Sequence, residues 1–380
     1  MKSRLFFANV LLISTLDIIH ADTFIDTVEG YVRSGVQTTD IKHDDTYTDI
    51  ALGGKLHIDT QSFYTISAGV SLYTTNALGK QEGNGIPFFD TANHSYTILG
   101  EAYLKGKWEN ATLTIGRQEI DTPFADTDDI GMIPNTFEAA MLVSQITEAA
   151  TITLGHLHKM AGVDAPNPSE FTRINDDEGV QLLGVSYEGI SNLTLSAWDY
   201  RLNRYETDNI AYFEANYENT YNDLTYSFNL QYALQNAQMP GTDNADIYGI
   251  DASVGFEDAG LAFGVAYNKS EGNAADNGFG GGPFFTSSEH LTLAEANGEG
   301  EAFFYTATWD AKSVGLENLS FLIGKFILED NSGIQSDEID FAASYSFSDA
   351  LSIEAYISHI DDKINAAKCK NTRVFLNYTF

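Results

Sequence analysis

Residues Leu224–Leu234 read LTYSFNLQYAL, in which apolar or aromatic side chains alternate with polar or small ones. Successive side chains of a β-strand point to opposite faces, so this segment predicts a strand with one apolar face and one polar face. Tyr248–Phe256 and Ile339–Phe347 repeat the alternation. The sequence therefore predicts an all-β fold.

Strand length and aromatic placement separate a membrane barrel from a water-soluble β-sandwich, which would show the same alternation. The segments run for about ten residues, the length of a tilted strand that crosses a bilayer. Aromatic residues gather near segment ends, as at Tyr345, Phe347, Tyr378 and Phe380, where the membrane interfaces lie. Because backbone amides in hydrocarbon must all be paired, such a sheet has to close on itself. We predict a single transmembrane antiparallel β-barrel of about 18 strands.

The connections between segments are predicted to alternate strictly between short turns on one side of the membrane and long loops on the other. The short links are Thr60–Ser62, Thr147–Ala149, Gly189–Asn192, Asp258–Gly260 and Ser348–Ala350. The long links are Thr74–Ser95, Glu119–Thr136, Met160–Glu178, Ser270–Gly300 and Asp361–Thr372. By this count the third outer loop is Glu119–Thr136 and the seventh is Ser270–Gly300.

Two segments, Gly179–Tyr187 and Leu319–Leu328, are apolar on both faces. Period-2 alternation alone does not assign their orientation. They either line the wall behind an inward-folded loop or contain β-bulges.

The first residues have the organisation of a secretory signal. Lys2 and Arg4 precede an apolar stretch, Leu5–Leu16, and a short tail ends at the small residue Ala21. The apolar stretch is short for a membrane anchor helix, the alternative interpretation. We predict a signal peptide over residues 1–21 and a single barrel domain over residues 22–380, in the bacterial outer membrane.

Composition excludes several classes of protein. With 20 Lys and Arg against 54 Asp and Glu, the net charge is −34, which argues against nucleic-acid binding. A hydrophobic fraction of 43% argues against disorder. No apolar run after the N-terminus is long enough for a helical membrane span. The single cysteine, Cys369, excludes an internal disulfide and any multi-cysteine metal site.

No enzyme motif is found in the chain. The G-x-S-x-G, H-E-x-x-H, Walker A and dinucleotide-binding patterns are absent from the sequence. His156 and His158 are two apart on a predicted strand and so face one side, but no third ligand accompanies them. We predict that the protein is not an enzyme and holds no metal or cofactor.

The last strand and several interior motifs resemble a known family. Val374, Leu376, Tyr378 and Phe380 form one apolar face, and the chain stops at that aromatic residue. This ending resembles the C-terminal pattern that the barrel assembly machinery reads in outer-membrane proteins. The segments EAYLKGK (101–107), LTIGRQEID (113–121), IGMIPNTFE (130–138) and GGPFFTSSEHLTLAEA (281–296) resemble the OprD-type outer-membrane porin family.

The resemblance implies an 18-stranded barrel whose third and seventh outer loops fold inward and narrow the pore. Both loops identified by strand count contain the matching motifs. The resemblance also implies that the barrel lies in a membrane of lipid and lipopolysaccharide. It implies that small solutes pass through the pore. Monomer and homo-oligomer both stay open, because lipid-facing and subunit-facing apolar surfaces look alike.

The third outer loop is acidic. Its site residues are predicted to be Glu119, Asp121, Asp126, Asp128 and Asp129. Carboxylates at close spacing suit calcium, but their order does not follow the EF-hand pattern. A carboxylate lining of the constriction is the preferred interpretation, and it predicts preference for cations. Neutralising Asp126, Asp128 and Asp129 together is expected to lower that preference.

The seventh outer loop is predicted to contain a short helix. Thr286 and Glu289 fit a capping box for a helix that runs to Ala296 and stops at Asn297 and Gly298. The resemblance favours a pore-narrowing element over a solvated surface helix. The residues predicted to narrow the pore here are Phe284, Phe285, Glu289, His290 and Glu295.

If the apolar positions face lipid, the opposite parity places charged residues in the lumen. These lumen residues are Glu29, Tyr31, Arg33, Lys55, His57, Asp59, Glu101, Lys105, Lys159, Glu214, Asp251, Asp340, Glu354 and Arg373. The resemblance implies a ladder of basic side chains that guides carboxylates. Its candidates are Arg33, Lys55, Lys105, Lys159 and Arg373; the alternative is that they only balance nearby carboxylates.

Arg117 does not fit this parity. It shares a face with Leu113 and Ile115, which should point it at lipid. A bulge would turn it inward to the constriction, and the alternative is a side chain that snorkels at the interface. We expect the inward orientation because the adjacent loop enters the pore.

Together these observations predict a porin with a water-filled channel for passive diffusion of small hydrophilic solutes, such as amino acids, small carboxylates or ions. The alternative is an outer-membrane barrel without a channel that acts as an adhesin or structural surface protein. Long outer loops would suit that second role.

Overall fold

The computed structural model describes residues 24–42, 46–83, 87–175, 177–202 and 207–380. The predicted signal peptide, residues 1–21, lies outside these residues. Nineteen β-strands form one antiparallel sheet. The strands are β1 Ile25–Ile41, β2 Thr46–Thr60, β3 Ile66–Gln81, β4 Tyr96–Lys107, β5 Ala111–Gln118, β6 Thr136–Thr147, β7 Ala150–Ala161, β8 Thr172–Arg173, β9 Val180–Ile190, β10 Leu193–Arg201, β11 Thr207–Tyr221, β12 Leu224–Ala237, β13 Ala245–Phe256, β14 Leu261–Glu271, β15 Gly300–Asp310, β16 Leu319–Asp330, β17 Gln335–Ser348, β18 Leu351–Asp362 and β19 Ala367–Thr379.

The sheet closes into a barrel because its first and last strands pair with each other. β1 pairs with β2 along one edge and with β19 along the other, from Tyr31 opposite Thr379 to Ile41 opposite Cys369. The two-residue strand β8 adds to the outer end of β7, while the rest of β7 pairs with β9. The other 18 strands form the ring, so the predicted 18-stranded barrel is confirmed.

Side-chain exposure shows that the apolar face of the wall points outward. In β12, Phe228 and Leu230 are exposed, whereas Gln231 and Ala233 on the inner side are buried. Val265, Ile323 and Phe341 are likewise exposed on β14, β16 and β17. An apolar outer surface on a closed barrel matches contact with lipid.

The two segments that are apolar on both faces, Gly179–Tyr187 and Leu319–Leu328, form the wall behind inward-folded loops. Val180 and Leu182 on β9, and Phe326 and Leu328 on β16, point inward and belong to one buried cluster. The cluster also contains loop residues such as Phe124, Phe284 and Leu293. Both faces of these strands are apolar because one faces lipid and the other packs against a loop.

The prediction that short and long links alternate strictly was wrong. β3 continues to Gln81, so the link predicted over Thr74–Ser95 is shorter than expected. β18 ends at Asp362 and β19 begins at Ala367, so Asp361–Thr372 is a tight outer turn. The link between β15 and β16, residues 311–318, is longer than several outer links.

Within the described residues, helical structure is confined to single turns. The described 3-10 helices are Glu257–Ala259, Leu293–Ala296 and Ala311–Val314. None of the helices in the described ranges is long and apolar enough to cross a membrane.

Candidate pore constriction

The third outer loop, residues 119–135 between β5 and β6, folds into the lumen and meets the seventh. Ala125 forms a bridge with Phe279 of the seventh loop, where the Phe279 amide donates to the Phe124 carbonyl at 2.8 Å. Phe124 is 1% exposed. Its ring packs edge-on against Tyr200, Tyr212 and Phe284 at centroid distances of 5.5, 5.6 and 6.1 Å. The two loops therefore form one plug-like unit, which we call the loop pair.

Arg33 on β1 binds the third loop. Its guanidinium donates to both carboxylate oxygens of Asp129, at 2.7 and 2.8 Å, and to the Gly131 carbonyl at 2.6 Å. It also lies over the rings of Tyr31 and Phe375, 4.9 and 5.2 Å from their centroids. Arg33 is thus used to hold the loop against the wall.

Lys55 on β2 binds the same loop at its beginning. The ammonium lies 3.0 Å from the carboxylate of Glu119 and 2.9 Å from that of Glu101 on β4. The Tyr73 hydroxyl donates to Glu119 at 2.6 Å. Lys55 therefore neutralises carboxylates where the loop leaves the barrel wall.

Arg373 on β19 binds the seventh loop, residues 272–299. Arg373 is 3% exposed, and its guanidinium lies 2.5 Å from the Glu289 carboxylate. Burial raises the pKa of the Glu289 carboxyl, although Arg373 opposes that shift. Burial also lowers the pKa of His290 to about 4, with Arg373 adding to the effect, so this imidazole is neutral at pH 7. His290 and Arg373 line a cavity of about 600 Å³ with Asp49 and Gln37.

The remaining aspartates of the third loop, Asp121, Asp126 and Asp128, form no ion pair with a basic side chain of the described residues. Burial and the neighbouring Asp164 carboxyl raise the pKa of Asp128 to about 8. Burial also raises the pKa of Asp126, although backbone amides donate to it. Asp121 is exposed. No cluster of three or more His, Cys, Asp or Glu side chains suited to a metal ion occurs in the described part of the chain.

The helix of the seventh loop is shorter than predicted and has a different cap. Thr292 and Glu295 form the capping box of the single turn Leu293–Ala296, which ends at Asn297 in the left-handed conformation. The predicted cap residue Thr286 instead donates from its amide and hydroxyl to Asn268, both at 3.1 Å. Phe284 packs in the buried cluster together with residues of the wall, and the Phe285 amide donates to Gln231 at 3.0 Å.

Sequence reasoning missed Glu338 on β17. Its carboxylate accepts hydrogen bonds from the Ser288 hydroxyl at 2.6 Å and the Leu291 amide at 2.8 Å, and so holds the seventh loop. Glu338 alternates with Asp340, which was placed in the lumen by parity. The same parity could have found it.

The register places Arg117 on the outer face of the wall, so the expected inward bulge is absent at this position. Arg117 pairs with Ala102 and Glu138 and shares a strand face with Ile115, which is 53% exposed. Its guanidinium donates to the Leu99 carbonyl at 3.1 Å, lies 3.6 Å from Glu138 and covers the Phe171 ring. Arg117 therefore does not reach the constriction.

Lys159 is also on the outer face, which corrects its placement in the lumen. Leu157 pairs with Ala139 and points inward, but the register then shifts, and Lys159 pairs with Glu138. The extra residue is His158, whose ring stacks beside exposed His156. This bulge turns Lys159 outward.

The other predicted lumen residues lie on the inner parity of their strands. His57, Glu101, Asp340 and Arg373 are buried there. The Lys105 ammonium lies 4.8 Å from the centroid of the Tyr103 ring, away from the loop pair. Of the five ladder candidates, only Arg33, Lys55 and Arg373 contact the loop pair.

The comparisons with known proteins agree with this architecture. The family model described as "outer membrane porin, OprD family" matches residues 68–323, which is more than half of the chain. No protein with a curated description matches the sequence.

Solved structures share the fold at low sequence identity. The crystal structure of Pseudomonas aeruginosa OpdK with vanillate has a TM-score of 0.79 at 15% identity and covers 93% of this chain and 98% of that chain. A BenF-like porin from Pseudomonas fluorescens Pf-5 has a TM-score of 0.80 at 14% identity, with the same coverage. Acinetobacter baumannii OccAB1 has a TM-score of 0.75 at 16% identity and covers 95% and 98%. The chain belongs to the OprD family of outer membrane porins.

Proposed function

We propose that this porin is a passive channel that prefers cations and cationic or zwitterionic small solutes. The observation that carries the proposal is the pairing of the basic side chains at the loop pair. Arg33, Lys55 and Arg373 each contact at least one carboxylate of the third or seventh loop. Their charges are therefore neutralised where a solute would pass.

Carboxylates outnumber cations in the same region. Four further carboxylates in this region belong to none of those three ion pairs. They are Asp121, Asp126 and Asp128 on the third loop, and Asp164 nearby. A constriction lined by acidic side chains favours cations. OpdK was crystallised with vanillate, a carboxylate. At the loop pair of this chain, the described cations Arg33, Lys55 and Arg373 are all paired with carboxylates, so they do not form a free basic ladder for such a solute.

The test is the reversal potential of the purified barrel in a planar bilayer under a KCl gradient. The variant Asp121→Asn, Asp126→Asn, Asp128→Asn should lose most of its cation preference. Asp129 is left in place because it holds Arg33. The measurement is made at pH 9, where Asp128, with a pKa of about 8, is ionised.

A matched variant carries Glu257→Gln, Asp258→Asn and Glu317→Gln, three carboxylates on turns at the other end of the barrel. It should keep the wild-type reversal potential. An unchanged potential in the loop variant would contradict the proposed constriction. Absence of conductance steps in the wild type would contradict the channel itself and favour a structural surface protein.

We also propose that the assembly machinery reads the last strand. Phe380 exchanges two backbone hydrogen bonds with Gly30, both 3.0 Å, at the seam where β19 meets β1. Its ring and that of Tyr378 are exposed on the outer face. An exposed aromatic end at the closing seam supports this reading. Deletion of Phe380 should lower the amount of folded barrel in the outer membrane.

A further inference from the structure

Three basic side chains lie together on the outside of the wall, at the outer ends of β5, β7 and β8. Arg117 and Lys159 both contact Glu138, with Arg117 Nε 3.6 Å and Lys159 Nζ 3.2 Å from its carboxylate. Arg173 on β8 is directly opposite Lys159. Residues directly opposite on antiparallel strands face the same side of the sheet, so all three cations share the outer face.

The extra strand β8 creates an unfavourable pair of like charges. Lys159 and Arg173 face each other across the ladder, an arrangement that destabilises a sheet. Arg173 also forms an ion pair with Asp177. Among the described residues this cluster therefore combines three cations with two carboxylates, Glu138 and Asp177. An external anion would relieve the repulsion.

Three other outer-face cations do not share this excess. Lys269 pairs with Glu271 at 2.5 Å, Arg201 with Asp199 at 3.4 Å, and Lys325 with Asp337. Each is matched by one carboxylate on the same face. The cluster of Arg117, Lys159 and Arg173, which we call the outer basic cluster, therefore keeps one cation more than its two described carboxylates.

The cluster lies at the outer ends of its strands, just beyond the exposed apolar residues Ile115 and Leu154. β7 ends at Ala161, two residues beyond Lys159, and β5 ends at Gln118, next to Arg117. The side chains keep exposed fractions of 33% for Arg117, 28% for Lys159 and 56% for Arg173. The Arg117 guanidinium is further held by the Phe171 ring, 4.2 Å away. The end of the apolar band on the outer face is where the polar interface of a bilayer begins.

We propose that the outer basic cluster binds a phosphate group of the outer-leaflet lipid, the lipid A part of lipopolysaccharide. Guanidinium groups match phosphate oxygens in a bidentate geometry, and a lysine adds a point charge. Glu138 holds Arg117 and Lys159 side by side, leaving their remaining donors for the phosphate. The site depends on the outer face of the wall and not on the pore.

The test compares binding of fluorescent phosphorylated lipid A to the folded barrel in detergent. The variant Arg117→Gln, Lys159→Gln, Arg173→Gln should bind at least about tenfold more weakly, because charge-assisted contacts to phosphate are lost. The matched control Lys269→Gln, Arg201→Gln, Lys325→Gln removes the same charge and should bind as the wild type does. Heat-modifiable gel mobility checks that each barrel is folded.

Further arms separate lipid from phosphate and from the pore. Dephosphorylated lipid A should bind the wild type and the cluster variant equally, and inorganic phosphate at equal concentration should not displace the lipid. The channel conductance of the cluster variant should match that of the wild type. Loss of lipid binding and loss of conductance can therefore be told apart, and the lipid proposal can fail without the channel proposal.

Equal affinity of the cluster variant and the wild type for phosphorylated lipid A would overturn the proposal. An equal loss of affinity in the control would show that only net charge matters. Displacement by inorganic phosphate at equal concentration would show a simple anion site without a role for the lipid.

Discussion

Arg33 connects the barrel wall to the third loop through one rigid planar group. A bidentate guanidinium–carboxylate pair fixes orientation as well as position. Two aromatic rings pack against the same guanidinium. A side chain held in this way restrains the loop more than it attracts a passing anion.

Arg33→Gln should increase both cation preference and current noise. The change leaves Asp129 without its partner, which adds a negative charge to the constriction and frees the loop to move. Single-channel recordings and reversal potentials measure both effects. Lys105→Gln is the matched control, because it removes a lumen cation that lies against Tyr103 instead of the loop pair. Equal noise in the two variants would show that Arg33 does not restrain the loop.

Asp128 should make selectivity depend on pH. Its pKa of about 8, raised by burial and by Asp164, means that the carboxyl is mostly neutral at pH 7 and becomes charged as the pH rises through 8. Cation preference should therefore increase between pH 7 and pH 9. Because the packed loop keeps a proton that an unpacked loop would lose, the packing of the loop should weaken as the pH rises from about 4 to about 8 and should change little above that. In Asp128→Asn this step should vanish, and its persistence would assign the titration to another group.

Residue placement follows from parity only where alternation is unbroken. Arg33, Lys55 and Arg373 could be placed in the lumen from sequence, whereas Lys159 could not. One inserted residue in β7, His158, reverses which side of the sheet the later side chains of that strand face. No feature of the sequence marks that insertion. The ion partners of the three lumen cations were equally hidden, because they depend on the path of loops that have no periodicity.

At the scale of elements, loop identity was predictable and loop structure was not. Strand counting located the third and seventh outer loops, since short turns mark the strands on either side, and the family resemblance implied that these loops fold inward. The seventh loop contains two sequences that fit a capping box, Thr286 to Glu289 and Thr292 to Glu295. Only the second forms, because Glu289 binds Arg373 and Thr286 binds Asn268. Tertiary contacts decide between motifs that are locally equivalent.

The loop pair should separate when Phe124 is truncated. Phe124→Ala removes a ring that packs between Tyr200, Tyr212 and Phe284. Truncation of a buried phenylalanine costs about 3–5 kcal/mol of packing free energy, which here is lost from the contact between the loops and the wall. Because the barrel ladder is untouched, we expect a larger single-channel conductance with little change in barrel stability. Phe63→Ala, at an exposed ring on an inner turn, is the control. Unchanged conductance in Phe124→Ala would mean that this ring does not hold the loops in the pore.

At the scale of the whole molecule, closure and orientation are the features that sequence determines best. All backbone groups of the wall must pair, so the number of strands and the outward apolar face are fixed together. The outer surface remains apolar around the ring, with charged side chains near the outer strand ends, as in the outer basic cluster. This separation explains how the same fold is found in solved structures that are only 14–16% identical in sequence.

An arginine placed at mid-strand should distinguish the two faces of the wall. Phe341, near the middle of β17, is exposed on the outer face. Phe341→Arg should destabilise the barrel folded in lipid vesicles by about 2–4 kcal/mol. The neighbouring Ala342→Arg lies at the same depth but on the inner parity, opposite Tyr356, and should cost much less because its charge stays in water. Reversible urea titrations of both variants measure the difference. Equal costs at the two positions would mean that the inner face is as dry as the outer one, and a water-filled channel would then be excluded.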